Sequence, residues 1–245
     1  MARARAALVM VFIVAIVMLV SAFTQTLTGF GSALVSMSIL PPLLGIQVAS
    51  PLVALMAITL ETILLVRLRG AINLKAVWRL SLAALVGIPI GLVLAQTISE
   101  DLVLAVLGVI LVGYSLYALI TPRLPELKHP AWAFAFGFAG GILSGAYNVA
   151  GPAAVIYGDC RRWNPDEFRS NLQAFFLVND AFVLINHGLA GNLQPIVWSY
   201  YLVALPAILL GIFFGLKLDR RVNPDLFRKL VQVLLIVMGL RLILL

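Results

Sequence analysis

Charged side chains are scarce in this sequence, and over long stretches they are missing altogether. Only 11% of the 245 residues are Asp, Glu, Lys or Arg, against roughly 25% in an average soluble domain. None occurs from Ala6 to Leu60, and none from Ala181 to Leu216. A helix needs about 20 apolar residues to cross the hydrocarbon core of a bilayer, so each run is long enough for more than one crossing. That excludes an ordinary soluble domain. A single cysteine, Cys160, excludes an internal disulfide framework. No phosphate-cradling loop, no His/Cys/carboxylate set at metal-ligand spacing and no nucleophile beside a base is present. The sequence therefore assigns no cofactor and no enzymatic activity. The net charge of +7 comes from basic residues flanking apolar runs, which marks cytoplasmic loops and not a nucleic-acid surface.

Long apolar segments run at about 6–26, 48–66, 76–97, 102–120, 131–146, 168–189, 195–216 and 226–244. Two shorter ones lie at about 30–44 and 150–160, each after a polar break. The first segment follows Arg3 and Arg5 as a secretory signal would, but its uncharged run outlasts the 7–15 residues of a signal core. It reads as a retained transmembrane helix. Four long segments and one short one thus occur twice, the arrangement of many transporters. The expected fold is an all-α membrane protein built as an inverted repeat of two five-segment halves, each with a short broken helix. It forms a single transmembrane domain over 1–245, with repeat 1 at about 6–120, a loop at 121–130 and repeat 2 at about 131–245. Val77-Trp78 recurs as Val197-Trp198, and Gly87 and Gly91 recur as Gly211 and Gly215 at a spacing that permits close helix packing. Ser99-Glu100-Asp101-Leu102 recurs as Asn223-Pro224-Asp225-Leu226, a capped helix start in each half.

Charge placement selects the topology. If the short segments do not cross, the basic residues divide almost evenly between the two sides. If both cross and the N-terminus is outside, the inner loops and helix ends hold Arg67, Arg69, Lys75, Arg79, Arg123, Lys128, Arg161, Arg162, Arg169, Lys217, Arg220, Arg221, Arg228 and Lys229. Of the 17 basic residues, Arg3, Arg5 and Arg241 alone remain outside. The positive-inside rule favours ten crossings.

The two breaks are the sharpest candidate site. The first gathers Thr24, Gln25, Thr28, Gly29, Phe30, Gly31 and Ser32, and the second gathers Ser144, Tyr147, Asn148, Gly151 and Pro152. Irregular backbone at membrane depth must face protein or a wet cavity. A helix that starts there offers unpaired N–H groups and the positive end of its dipole to an anion. The alternative is that the glycines only allow tight packing. Glu61 and Asp180 lie in corresponding segments of the two halves. An acid inside the membrane is a functional candidate by default, here for proton coupling, the alternative being a hydrogen-bonded structural acid. Asn171, Asn179 and Asn186 share one helical face, and the first two are taken as substrate-binding.

The Gly29-Phe30-Gly31-Ser32-Ala33-Leu34-Val35 stretch, its weaker echo from Asn148 to Ala154, and Asn164-Pro165-Asp166-Glu167 before Arg169-Ser170-Asn171 resemble the TauE/SafE family of sulfite and sulfonate transporters. The chain departs from that family in carrying Ala150 where the second break usually has glycine. The resemblance implies transport of a small sulfur-containing anion, such as sulfite or an organosulfonate, across a bacterial plasma membrane. The resulting expectation is a multi-pass, proton-coupled secondary transporter of the inner membrane, working by alternating access. Its partners are a small anion, protons and the lipid bilayer, with no nucleic acid, and a homodimer is compatible with the sequence. A passive anion channel is the alternative reading. An intramembrane enzyme is disfavoured for want of a catalytic pair.

Overall fold

A computed structural model describes residues 2–68, 70, 72–120, 125–218 and 224–244. Arg69, Arg123, Arg220, Arg221 and Asn223, used above for the charge and helix-start comparisons, lie outside the described residues, as do the side chains of Arg3, Arg5 and Arg228.

The described chain is all helix: α1 (Ala2–Thr28), α2 (Ser32–Ile39), α3 (Pro41–Leu44), α4 (Ile46–Leu68), α5 (Leu74–Thr97), α6 (Glu100–Ile120), α7 (Trp132–Tyr147), α8 (Gly151–Cys160), α9 (Pro165–Leu189), α10 (Pro195–Leu218) and α11 (Pro224–Leu244). Each long apolar segment forms one helix. The first short segment divides into α2 and α3, because Pro41 and Pro42 bring no N–H to continue a helical ladder. Asn164 caps α9 by accepting from Glu167 N at 2.9 Å, with Pro165 in the first turn. Asn73 caps α5 in the same way through Ala76 N.

Among the described residues, five helices, α1, α4, α5, α9 and α10, are long and apolar enough to cross a membrane. The distribution of polarity is the reverse of a soluble protein's. Gln25, Glu61, Asn148, Asn171, Gln173, Asn179, Asp180 and His187 are buried, while Phe12, Val86, Val109, Leu202, Phe213 and Val237 are exposed. Such an exterior suits lipid and not water. The protein is a multi-pass membrane protein.

Glycines set the closest helix contacts. A Cβ on Gly87 or Gly91 of α5 would lie 2.5 Å from Phe138 O or 2.1 Å from Ile142 O of α7. Gly211 and Gly215 of α10 approach α1 alike, at 2.4 Å from Leu19 O and 2.6 Å from Thr26 Cβ. The two pairs therefore do equivalent work, as their sequence match suggests. A third contact, Gly108 of α6 on Gly239 of α11, carries no doublet in the sequence.

These contacts also fix helix directions. Gly87 meets α7 at Phe138 and Gly91 meets it one turn later, so α5 and α7 are parallel, and so are α1 and α10. Gly108 faces Gly239 and Ile243, whereas Gly239 faces Gly108 and Val112, so α6 and α11 run antiparallel. Ser50, early in α4, bonds His187 late in α9 (3.0 Å), and Leu68 O at the end of α4 accepts from Ser170 Oγ early in α9 (3.3 Å). Helices α4 and α9 are antiparallel too.

Candidate functional site

The site forms where the two breaks meet the middle of α4 and α9. At the first break, Gly29 (φ 85°) and Gly31 (φ 102°) adopt left-handed backbone, which a side chain tolerates poorly. Thr28 Oγ1 lies within hydrogen-bond distance of Thr24 O and Phe30 O, and its one proton can serve either carbonyl at the interrupted helix end. At the second break, Asn148 (φ 55°) takes the left-handed position after α7, and its N–H reaches Ser144 O at 2.7 Å. Asn is one of the few residues other than glycine that enter this region readily.

One cavity then collects residues from both halves. Gln25, Gly31, Ser32 and Leu34 line it from the first break, Asn148, Ala150 and Gly151 from the second, and Glu61, Phe176 and Asp180 from α4 and α9. Both acids are buried, Glu61 at 1% exposure and Asp180 at 7%. Glu61 shares the wall with Asp180 and Gln25, and its Oε2 has no hydrogen-bond partner. The Asn148 amide, oriented to suit its neighbours, donates to Asp180 Oδ1 at 3.2 Å and accepts from Ala54 N at 3.1 Å. Gln25 Oε1 accepts from Ser32 N (3.2 Å) and from Ser32 Oγ, while its Nε2 donates to Gln173 Oε1 (3.1 Å). Gln173 Nε2 in turn donates to Gly29 O at 2.7 Å. The first turns of α2 and α8 thus open on the same space as two carboxyl groups, with no cationic side chain among the described residues of the wall.

Of the residues singled out in the sequence, Gln25, Gly31, Ser32, Glu61, Asn148, Gly151 and Asp180 line this cavity. Thr24 and Thr28 bond backbone within their own helix end, at Val20 O and Thr24 O. Gly29 backs the cavity through Gln173. Phe30 turns away and packs edge-on against Tyr114 of α6, ring centroids 6.3 Å apart. Ser144, Tyr147 and Pro152 are buried beside the break without lining the cavity. Asn171 accepts from Asn73 N at 2.9 Å, near the start of α9 and away from the cavity. Asn179 is fully buried without a hydrogen-bond partner and lines none of the described cavities. His187 is buried, between Ser50 and Asn192, and Arg161 is tied to Leu127 O and Lys128 O.

The sequence reading passed over Gln173 and Phe176. Their signal was present: Arg169, Gln173, Phe176 and Asp180 recur at helical spacing and form one stripe of α9.

No solved structure matches the chain. Over 230 residues, 91% of this chain and 89% of its relative, the sequence is 24% identical to the "Probable sulfite/organosulfonate exporter TauE" of Cupriavidus necator. The family model "Sulfite exporter TauE/SafE" matches residues 13–242, a span that contains both breaks, both acids and every described residue that lines the cavity. The chain belongs to the sulfite exporter TauE/SafE family of membrane transporters.

Proposed function

We propose that the protein is a secondary transporter that moves a small sulfur-containing anion, sulfite or an organosulfonate, by alternating access and together with a proton. The observation that carries this reading is the convergence of both breaks and both acids, one of each from either half, on a single cavity. The substrate class rests on the relative's printed name.

The same convergence supports an inverted repeat. Gly29 and Asn148, Ser32 and Gly151, Ala54 and Gln173, and Glu61 and Asp180 are all separated by one constant offset in the sequence. Related helices that meet each other, α4 with α9 and α6 with α11, run antiparallel. If every long helix crosses the bilayer in turn, an antiparallel α4 and α9 require α8 to change sides as well. Parallel α1 and α10 require the α2–α3 segment to change sides likewise, and the ten crossings that result agree with the charge count.

The chemistry is differential. Helix N-termini attract an anion, whereas ionised carboxylates on the same wall repel it. Two ionised carboxylates on one buried wall also repel each other, which a bound proton relieves. The anion enters the cavity when the pair holds protons and leaves as the pair ionises, so proton and anion travel together. Methanesulfonate is the better probe, because it stays anionic and cannot cross lipid as a neutral acid. Proteoliposomes acidified outside should accumulate it saturably. Flux that neither saturates nor exceeds the electrochemical gradient would identify a channel and overturn the transporter reading.

A further inference from the structure

A second cavity adjoins the first, and its charge is opposite. Arg67, Arg169, Gln25, Gln173, Thr26 and Gly29 line it, and none of the described lining residues is acidic. Gln25 belongs to both cavities, and its bond to Gln173 (3.1 Å) stands between them. An anion approaching the central cavity directly meets two acids and no cation. An anion approaching by way of the second cavity meets two guanidinium groups first.

The fold holds one of these arginines in place. Arg169 Nη2 donates to Leu27 O at 3.0 Å, and Arg169 Cγ lies 3.1 Å from where a Cβ on Gly29 would be. The missing side chain at Gly29 is what lets the arginine lie across the first break. Arg67, in the last turn of α4, is exposed at the same mouth. This is also the end at which α5 begins, since Asn73 bonds Asn171 and Glu167 at 2.9 and 3.0 Å, and where the positive-inside rule puts the cytoplasm.

We propose that Arg67 and Arg169 form a loading site for a sulfur oxyanion at the cytoplasmic mouth, separated from the central cavity by the Gln25–Gln173 amide pair. A planar guanidinium matches the oxygen atoms of sulfite or a sulfonate better than an ammonium does, because it presents paired donors in a fixed fork. The site rests on the transport reading, and it adds to that reading a path with an electrostatic order. The anion is collected by positive charge, then passes an amide pair to a cavity that accepts it only when the acids are protonated.

The test uses the full-length protein in oriented proteoliposomes, with methanesulfonate and sulfite presented to the face bearing Arg67. Arg67→Gln is expected to raise the half-saturating concentration about tenfold while leaving the maximal rate within about twofold. Arg67→Lys, which keeps the charge but loses the fork, should recover only part of the loss. Arg169→Lys should act in the same direction, with melting temperature measured alongside because Arg169 also ties down the end of α1. Equal half-saturation in wild type and Arg67→Gln overturns the loading site and leaves the transporter intact. If the wild type carries neither anion, the transport reading fails. Calorimetric titration of sulfite into the purified protein then decides the loading site alone. Binding about tenfold weaker in Arg67→Gln supports it, and equal or absent binding overturns it.

Discussion

Glu61 and Asp180, contributed by antiparallel helices from opposite halves of the chain, line the same cavity. Among the described residues no cationic side chain shares that wall with them. If the pair carries the proton, Glu61→Gln and Asp180→Asn retain size and hydrogen-bonding capacity but remove titration. Each variant should bind methanesulfonate and exchange it across the membrane, yet lose accumulation driven by a pH gradient. Undiminished gradient-driven accumulation in the double variant would remove the acids from the mechanism.

The two breaks respond differently to side chains. At Gly31 the backbone is left-handed, so Gly31→Ala should cost about 1–2 kcal/mol of stability. At Gly151 an added Cβ meets nothing within 4 Å, and the residue lines the cavity. Gly151→Leu should therefore stay folded while cutting transport by roughly two orders of magnitude, since small misplacements at a site are costly. Melting curves and uptake rates, compared across the two variants, check this. Normal uptake by folded Gly151→Leu would move the substrate elsewhere.

The α5–α7 contact has no room for a side chain. A Cβ on Gly145 would sit 2.0 Å from Ile88 O, and one on Gly141 2.3 Å from Ala84 O. Gly145→Val should destabilise the protein by about 1–3 kcal/mol or more, by forcing backbone apart in a packed interface. Gly113, with nothing within 4 Å of an added Cβ, is the control, and Gly113→Ala should leave the melting temperature nearly unchanged. Equal stability of both variants would contradict the helix packing described here.

Helix α9 carries both Gln173 and Asp180, so its start matters for the site. Asn164 caps it through Glu167 N at 2.9 Å. Asn164→Ala should lower stability by about 1 kcal/mol, read as a fall of a few degrees in melting temperature, with little effect on substrate affinity. A large affinity loss without destabilisation would show that the cap acts on the site itself.

Ten crossings place Glu126 and Ala190 on opposite sides of the membrane. In a Cys160→Ala background, an impermeant thiol reagent added outside intact cells should modify Ala190→Cys and spare Glu126→Cys. The reverse pattern would invert the protein and with it the loading side.

The local information in the sequence determined the helices and the breaks. Apolar length fixed the long helices, and the glycines and polar residues at Gly29–Ser32 and Tyr147–Gly151 marked where helix must stop, because backbone in lipid is either hydrogen-bonded or covered. The pairing of Glu61 with Asp180 was legible as a repeat, though not as a contact. Both candidate stripes of α9 are buried, and which of them faces the cavity was not legible. The Asn171–Asn179 face and the Arg169–Gln173–Phe176–Asp180 face both obey helical spacing, and only the rotation of α9 against α4 and α1 separates them. Phe30 sits inside the most recognisable motif, yet its ring packs on Tyr114 because the left-handed residues on either side turn it out of the cavity's line. The bond between Gln25 and Gln173 spans 148 positions, and no local propensity encodes a contact at that range. Tertiary packing decided it, by bringing the end of α1 against α9 so that two buried amides satisfy each other where water cannot.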